Sequence, residues 1–295
     1  MLSKINLNEY ELNPQSVSSL INEERSFKQF IKKLKKFTHS SKSRSQTFVY
    51  ENYQESWGKY LKEQKWKNFD TVTQFCYENY GTKLNICSDK LVLLDNHLYK
   101  TTKHNWNKLR IALLYEYVKS FLSNDDVLVE LGCGIGRNLF NFYAMGISNL
   151  LEGYEYTKTG FQTSEAINNF FQCGIKFGQV DLKKSLKNID LKNKTVFTHH
   201  VLEQLKYDTK DVILNLIEAS PKQIIHFEPV VELALDDNFG FIFKKYIEKK
   251  DYQDNLLSNL QSLESENKLK IIDTLPNQFG FNPSNQTSII RWVPK

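Results

Sequence analysis

Short, largely apolar runs recur along the chain from about residue 127 onward, and each has an acidic or polar residue at or next to its end. They cover residues 127–131, 149–155, 175–181, 195–199 and 223–228. Continuous apolar runs of this length, rich in β-branched side chains, are typical of strands that are buried on both faces of a parallel sheet. Residues 269–275 and 287–293 have the same character and flank a Gly/Asn/Pro-containing loop, so they predict a C-terminal hairpin.

The residues before the first run have a mainly helical pattern. Residues 103–122 predict one helix that leads directly into the first strand, and residues 52–80 predict two helices broken near Asn68. Asn13-Pro14 is a good helix start signal, because Asn caps a helix and Pro fits its first turn. Residues 91–94 fit a short strand or a buried turn, and residues 244–263 predict a polar helix.

Glycines occupy alternate positions directly after the first run, at Gly132, Gly134 and Gly136. Glycine tolerates positive φ and has no Cβ, so the chain can turn tightly from strand to helix while its backbone approaches a ligand. A dinucleotide loop needs a small residue at position 137, where Arg137 stands. No lysine follows the glycines, which excludes the phosphate loop of nucleotide triphosphatases.

The remaining pattern is Glu130-x-Gly-x-Gly-x-Gly between a strand and a helix. It resembles the first motif of the class I (Rossmann-like) S-adenosylmethionine-dependent methyltransferases. The resemblance implies a doubly wound, seven-stranded, mostly parallel sheet with a C-terminal antiparallel hairpin, preceded by a mainly helical N-terminal extension. Residues 104–295 would form the cofactor-binding domain, and residues 1–103 a cap or substrate region.

The resemblance also implies the cofactor, S-adenosylmethionine, and its ligands. Glu155, which ends the second strand, is the favoured ligand of the ribose hydroxyls, and Glu152 is the weaker candidate. Asp181 matches the family position near the adenine amino group. The predicted cofactor-binding residues are Glu130, Gly132, Cys133, Gly134, Gly136, Asn138, Glu155, Asp181 and His199.

Methyl transfer from a sulfonium requires alignment of the acceptor and, for a hydroxyl acceptor, removal of its proton. His199 and His200 follow the fourth strand, and Glu203 lies one helical turn further on, where it can fix a histidine tautomer. His226 and Glu228 alternate on the fifth strand and so face one side of the sheet. All five are candidate catalytic residues, although each would also serve as a structural cap or core partner.

A metal site is the least favoured interpretation of the candidate residues: His199, His200, Glu203, His226 and Glu228 could in principle converge as ligands, but their spacing does not favour it. The chain has no H-E-x-x-H spacing, and Cys76, Cys87, Cys133 and Cys173 show neither the spacing of a metal knuckle nor that of a secreted disulfide framework. Cys133 lies between loop glycines, where a small residue suits the turn.

The class of methyl acceptor is inferred partly by elimination. Methyltransferases that act on DNA or RNA bases typically carry N/D-P-P-Y/F after the fourth strand, where this chain has Thr198-His199-His200-Val201. Arginine methyltransferases carry two glutamates in that region, where only Glu203 stands. We therefore favour O-methylation of a small-molecule or sugar-like acceptor, which can include a phosphorylated one. An RNA or protein methyltransferase and a non-catalytic cofactor-binding module are the alternatives.

Composition supports a folded protein with a basic N-terminal part. Hydrophobic residues make up 40% of the 295 residues, which excludes disorder throughout. Residues 1–115 contain 19 Lys and Arg against 11 Asp and Glu, although the net charge of the whole chain is only +5. The lysines around residues 27–37 fit either a solvated helix face or an anion-binding surface, so nucleic acid is a possible but unfavoured partner. The sequence shows no signal-peptide or membrane-spanning run, so we expect a cytoplasmic protein.

Overall fold

The computed structural model of this chain describes residues 5–15, 46–79, 89–282 and 284–295. The lysine-rich helix predicted around residues 27–37 lies outside these residues, as does Cys87. In the described part of the chain, no helix is both long and apolar enough to cross a membrane.

A seven-stranded sheet forms the centre of the protein, with the strand order β6-β5-β4-β7-β8-β10-β9. Its strands are β4 (Val127–Leu131), β5 (Leu150–Glu155), β6 (Lys176–Gln179), β7 (Thr195–His199), β8 (Gln223–Glu228), β9 (Leu269–Asn282) and β10 (Asn285–Pro294). Strands β4 to β8 are parallel, whereas β10 runs antiparallel to both β8 and β9. This arrangement confirms the predicted sheet and its C-terminal hairpin.

Helices surround the sheet. They are α1 (Gln46–Glu63), α2 (Val72–Asn79), α3 (Lys103–Phe121), α4 (Arg137–Ala144), α5 (Lys158–Phe171), α6 (Thr209–Glu218), α7 (Asn238–Lys250) and α8 (Leu256–Ser265). Successive side chains of a strand point to opposite faces. Accordingly, Leu128 of β4 packs in a cluster with Phe140 of α4, while its neighbour Val129 packs in a second cluster with Val212 of α6. The apolar runs are therefore buried on both faces, as their composition predicts.

The N-terminal region also contains a small antiparallel sheet, of which the sequence pattern indicates only residues 91–94, as a strand or a buried turn. Its strands are β1 (Asn13–Pro14), β2 (Asp89–Leu94) and β3 (His97–Thr102), in the order β1-β3-β2. The helix start predicted at Asn13-Pro14 is wrong, because these residues pair with Lys100 and Tyr99 of β3 instead. Pro lacks a backbone N–H, and an edge strand tolerates that loss.

Two further differences are local. Asp95 and Asn96 both have positive φ, 48° and 62°, and connect β2 to β3 as a tight hairpin turn. The single polar helix predicted over residues 244–263 is wrong, since α7 ends at Lys250 and α8 starts at Leu256. Asp251, with a φ of 54°, terminates α7 in the left-handed conformation.

Candidate active site

A cavity of about 370 Å³ lies where the carboxyl ends of β4, β5 and β7 meet, at the edge where ligands bind in open parallel sheets. Its volume is in the usual range for a small-molecule site. Helix α1 covers the cavity with Tyr50, Tyr53 and Trp57. Thr159 fixes this helix to α5, because its Oγ1 donates to the backbone oxygen of Gln54 at 2.7 Å.

The loop between β4 and α4 forms the floor of this cavity. Its glycines have positive φ values of 72°, 58° and 78° at Gly132, Gly134 and Gly136. A Cβ at Gly132 would lie only 2.4 Å from Cγ2 of Val201, so that glycine is required for packing. A Cβ at Gly134 would meet only Trp57, at 3.5 Å, so this glycine keeps space open beneath the covering helix.

Glu130 is the penultimate residue of β4 and lies buried at the base of the loop. Its Oε1 accepts a hydrogen bond from Nδ2 of Asn138 at 2.5 Å, and the same Nδ2 approaches Nδ1 of His199 at 3.3 Å. Oε2 is buried and has no hydrogen-bond partner among the described residues. Burial raises the pKa of Glu130 to about 8, an effect that the charge of Glu155 reinforces.

Glu155 lies at the end of β5 and lines the cavity, as expected for the ribose ligand. One carboxylate oxygen accepts the backbone N–H of Gly134 at 3.0 Å, and the other accepts the N–H and the hydroxyl of Thr157 at 2.9 Å and 2.7 Å. Glu152 instead binds Lys194 at 2.8 Å, away from the cavity-lining residues. The structure thus places only the favoured acid beside the glycine loop.

Asp181 and Cys133 also line the cavity. Oδ1 of Asp181 accepts the backbone N–H of Lys183 at 3.1 Å, which holds the carboxylate just beyond β6. Burial raises the pKa of the Cys133 thiol well above its ordinary value, so the thiol stays protonated. This environment agrees with a steric role for Cys133 in the loop.

His200 lines the cavity and has partners at both ring nitrogens. Nδ1 lies 2.9 Å from Oε2 of Glu203, and Nε2 lies 2.8 Å from Oγ1 of Thr287 on β10. In the neutral ring, Nδ1 donates to the carboxylate and Nε2 accepts from the hydroxyl. Burial, followed by the positive charge of Arg110, lowers the pKa of His200 to about 3. Burial also lowers the pKa of His199 well below its ordinary value.

Glu228 is fully buried behind this pair. Its Oε1 accepts the backbone N–H of Val201 at 2.9 Å, and Oε2 accepts that of Glu203 at 3.4 Å. Burial raises the pKa of Glu228 to about 8, and the nearby charge of Glu203 adds to the effect. The carboxyl group therefore caps the turn after β7, and it does not line the cavity.

His226 lies deeper in the protein than the sequence pattern implies. Its Nδ1 lies 2.9 Å from Oγ1 of Thr198, and its Nε2 accepts the indole N–H of Trp292 at 2.9 Å. The ring is fully buried and lies outside the cavity lining. The structure therefore gathers His199 and His200 at the cavity, places Glu203 and Glu228 behind them, and leaves His226 in the core.

Sequence reasoning missed several residues that line or support this site. Arg110 of α3 and Gln204 line the cavity, and Nε2 of Gln204 donates to the hydroxyl of Tyr53 at 3.2 Å. The sequence predicts the helix that carries Arg110, but no motif marks that position. Across the described ranges, no group of three or more His, Cys, Asp or Glu side chains is arranged to hold a metal ion.

Comparisons with known proteins found only distant similarity, to solved structures. No family model matches the sequence, and no curated protein matches it. A magnesium protoporphyrin IX methyltransferase from Synechocystis PCC 6803, solved with bound SAH, is 15% identical with a TM-score of 0.48, and the match covers 65% of this chain and 85% of that chain. A geranyl diphosphate C-methyltransferase from Streptomyces coelicolor A3(2) is 10% identical with a TM-score of 0.47, over 64% of this chain and 80% of that chain. On the evidence of its own strand order, with the antiparallel β10 inserted beside β8, this chain has the Rossmann-like fold of the class I S-adenosylmethionine-dependent methyltransferases.

Proposed function

We propose that the protein is an S-adenosylmethionine-dependent methyltransferase that methylates an oxygen of a small-molecule or sugar-like acceptor. The observation that carries the proposal is Glu130 Oε2, a buried carboxyl oxygen without a partner in the described chain, at the base of a glycine loop that opens into the cavity. Buried polar atoms normally have hydrogen-bond partners, so an unsatisfied one beside a cavity indicates a ligand.

The residues around the cavity fit this cofactor. Glu130 would hold the amino group of its amino-acid part, since a cation would stabilise the ionised carboxylate. Glu155 would accept from the ribose hydroxyls, because a carboxylate has lone pairs beyond those used by Gly134 and Thr157. Asp181 would lie near the adenine. The backbone at Cys133 and Gly134 would pass directly beneath the cofactor.

The bound cofactor supplies a methyl group on a sulfonium, which is already an excellent leaving group. The chain must therefore exclude water and orient the acceptor. Tyr50, Tyr53 and Trp57 of α1 line the cavity, which supports residues 1–103 as a cap and residues 104–295 as the cofactor domain. His199 and His200 lie on the β7 side, where the acceptor would approach.

Calorimetric titration with S-adenosylhomocysteine tests the cofactor assignment. Gly134→Arg fills the cavity, so we expect binding to be lost. Gly174→Arg is the matched control, because Gly174 also has positive φ, 70°, but no atom lies within 4 Å of the position that a Cβ would take there. Equal retention of binding in both variants, or no binding by the unaltered protein, would contradict the proposal.

Incubation with methyl-labelled cofactor and fractions of a cell extract tests the chemistry. We expect a small molecule to gain a methyl group on oxygen. Binding of S-adenosylhomocysteine without transfer to any fraction would indicate the non-catalytic module instead. Label found only in RNA or protein would indicate a macromolecular acceptor.

A further inference from the structure

The acceptor side of the cavity combines a cation with two histidines that are poorly suited to remove a proton. This combination bears on which oxygen is methylated. Building on the proposed methyl transfer, we infer that the acceptor group is a carboxylate that pairs with Arg110, and that the product is a methyl ester.

Arg110 provides the positive charge. It lines the cavity, and its Nε and Nη1 are shielded from solvent. Its charge reaches both His199 and His200, since it helps to lower the pKa of each. A guanidinium presents a planar fork of donors that matches the geometry of a carboxylate.

Among the residues that the structure describes, the groups near Arg110 offer no effective general base. Nε2 of His200 accepts from the Thr287 hydroxyl and Nδ1 donates to Glu203, so neither nitrogen is available to an acceptor. Nδ1 of His199 faces an amide donor, Nδ2 of Asn138, so its proton resides on Nε2. With its lone pair at Nδ1 engaged by Asn138 and its proton on Nε2, the ring of His199 is not placed to act as a base.

The remaining carboxyl groups are also engaged. Glu203 binds His200, and Glu228 accepts backbone N–H groups of the turn after β7. An alcohol acceptor would need a base, and an ammonium would need a base and would be repelled by Arg110. A carboxylate with an ordinary pKa near 4 is already ionised at neutral pH.

The step then requires no proton transfer. A lone pair of one carboxylate oxygen forms the new O–CH₃ bond while the methyl–sulfur bond breaks and its electron pair stays on sulfur. The carboxylate loses its negative charge and the sulfonium its positive charge, so the products are a neutral ester and a neutral thioether. Arg110 would orient the carboxylate through its other oxygen.

Base lability distinguishes the products. The protein is incubated with tritiated-methyl cofactor and two small-molecule fractions of a cell extract, one retained and one not retained by an anion-exchange column. We expect label in the retained fraction, released as volatile methanol by mild alkali. Alkali-stable label in either fraction would overturn the carboxylate inference and leave methyl transfer standing. Failure to bind S-adenosylhomocysteine would instead remove the proposed function itself.

A substitution tests the role of Arg110. Arg110→Met should reduce ester formation at subsaturating acceptor by about 30-fold or more, as expected for a lost charged hydrogen bond. The affinity for S-adenosylhomocysteine, measured by calorimetry, should change by less than about 3-fold. Lys119→Met removes an exposed cation from the same helix and should change neither quantity. A large loss of S-adenosylhomocysteine affinity in Arg110→Met would overturn the inference, because Arg110 would then bind the cofactor.

Discussion

Replacing Glu130 with Gln should change both the pH dependence of the protein's stability and its affinity for the cofactor. Glu130 is buried, and its pKa is raised from 4.5 to about 8. The folded state therefore holds a proton that the unfolded chain releases above about pH 4.5. Stability is highest below that pH and falls as the pH rises toward 8.

The magnitude follows from the size of this shift. Between the unfolded and folded pKa values, each pH unit lowers the free energy of unfolding by about 1.4 kcal/mol for one such group. Raising the pH from 5.5 to 7.5 should therefore lower it by about 3 kcal/mol. Glu130→Gln removes this contribution and keeps a carbonyl oxygen for the amide of Asn138. The variant should therefore lose about 3 kcal/mol less than the unaltered protein over the same interval. Urea unfolding at both pH values measures the difference.

Glu228→Gln provides the matched control, because Glu228 is also buried with a pKa of about 8 but lies outside the cavity lining. It should flatten the pH dependence of stability to a similar degree. Only Glu130→Gln should weaken S-adenosylhomocysteine binding. In the unaltered protein, binding of the amino group should release a proton from Glu130, so affinity should rise between pH 6 and 7. Identical pH slopes for Glu130→Gln and the unaltered protein would refute the reasoning.

Three further predictions concern packing around the site. Gly132→Ala should lower the free energy of unfolding by about 3 kcal/mol or more, since the new Cβ would lie 2.4 Å from Cγ2 of Val201 at a φ of 72°; denaturant unfolding measures this. Thr159→Val removes the hydrogen bond to the backbone of α1, so amide hydrogen exchange in α1 should accelerate by about 5-fold. His226→Asn should destabilise the protein by about 1–3 kcal/mol through its lost partner Trp292, while methyl transfer per folded molecule stays within about 2-fold.

For each of these predictions, a specific result would contradict the physical reason given. Gly174→Ala shares the positive φ of Gly132 but has open space around its Cβ, so it should cost less than Gly132→Ala; equal costs would show that the contact with Val201 is unimportant. Unchanged exchange in Thr159→Val would mean that other contacts fix α1. A large loss of methyl transfer in His226→Asn would support the predicted catalytic role of His226.

Local patterns explain why much of the fold was predictable. The apolar runs, the alternate glycines and the acids at or next to the ends of β4 and β5 are each recognised within a few residues of sequence. Parallel strands then bring their carboxyl ends to one edge of the sheet. The preference for Glu155 over Glu152 came from the family resemblance, whose pattern places the acid two residues after a glycine, here Gly153. The turn at Asp95-Asn96 had a local signal as well, because both residue types tolerate positive φ.

The sequence did not predict how deep in the protein a strand residue lies, or which distant elements contact each other. His226 and Glu228 share a face, but one step of two residues moves a side chain by about 7 Å along the strand, which takes His226 from the edge into the core. Thr287 contacts His200 across 87 positions of sequence, and no pattern near either residue indicates the pairing. The place of Arg110 depends on how α3 packs against the sheet.

The position of β10 has a consequence for how the protein is made. This strand follows β9 along the chain but lies between β8 and β9 in the sheet. A nascent chain that has emerged only as far as β8 therefore exposes the edge of that strand, and the ring of His200 lacks the hydroxyl of Thr287. During synthesis, His200 therefore lacks this support until the hairpin of β9 and β10 pairs with β8, and in that interval the open edge of β8 can pair with other chains.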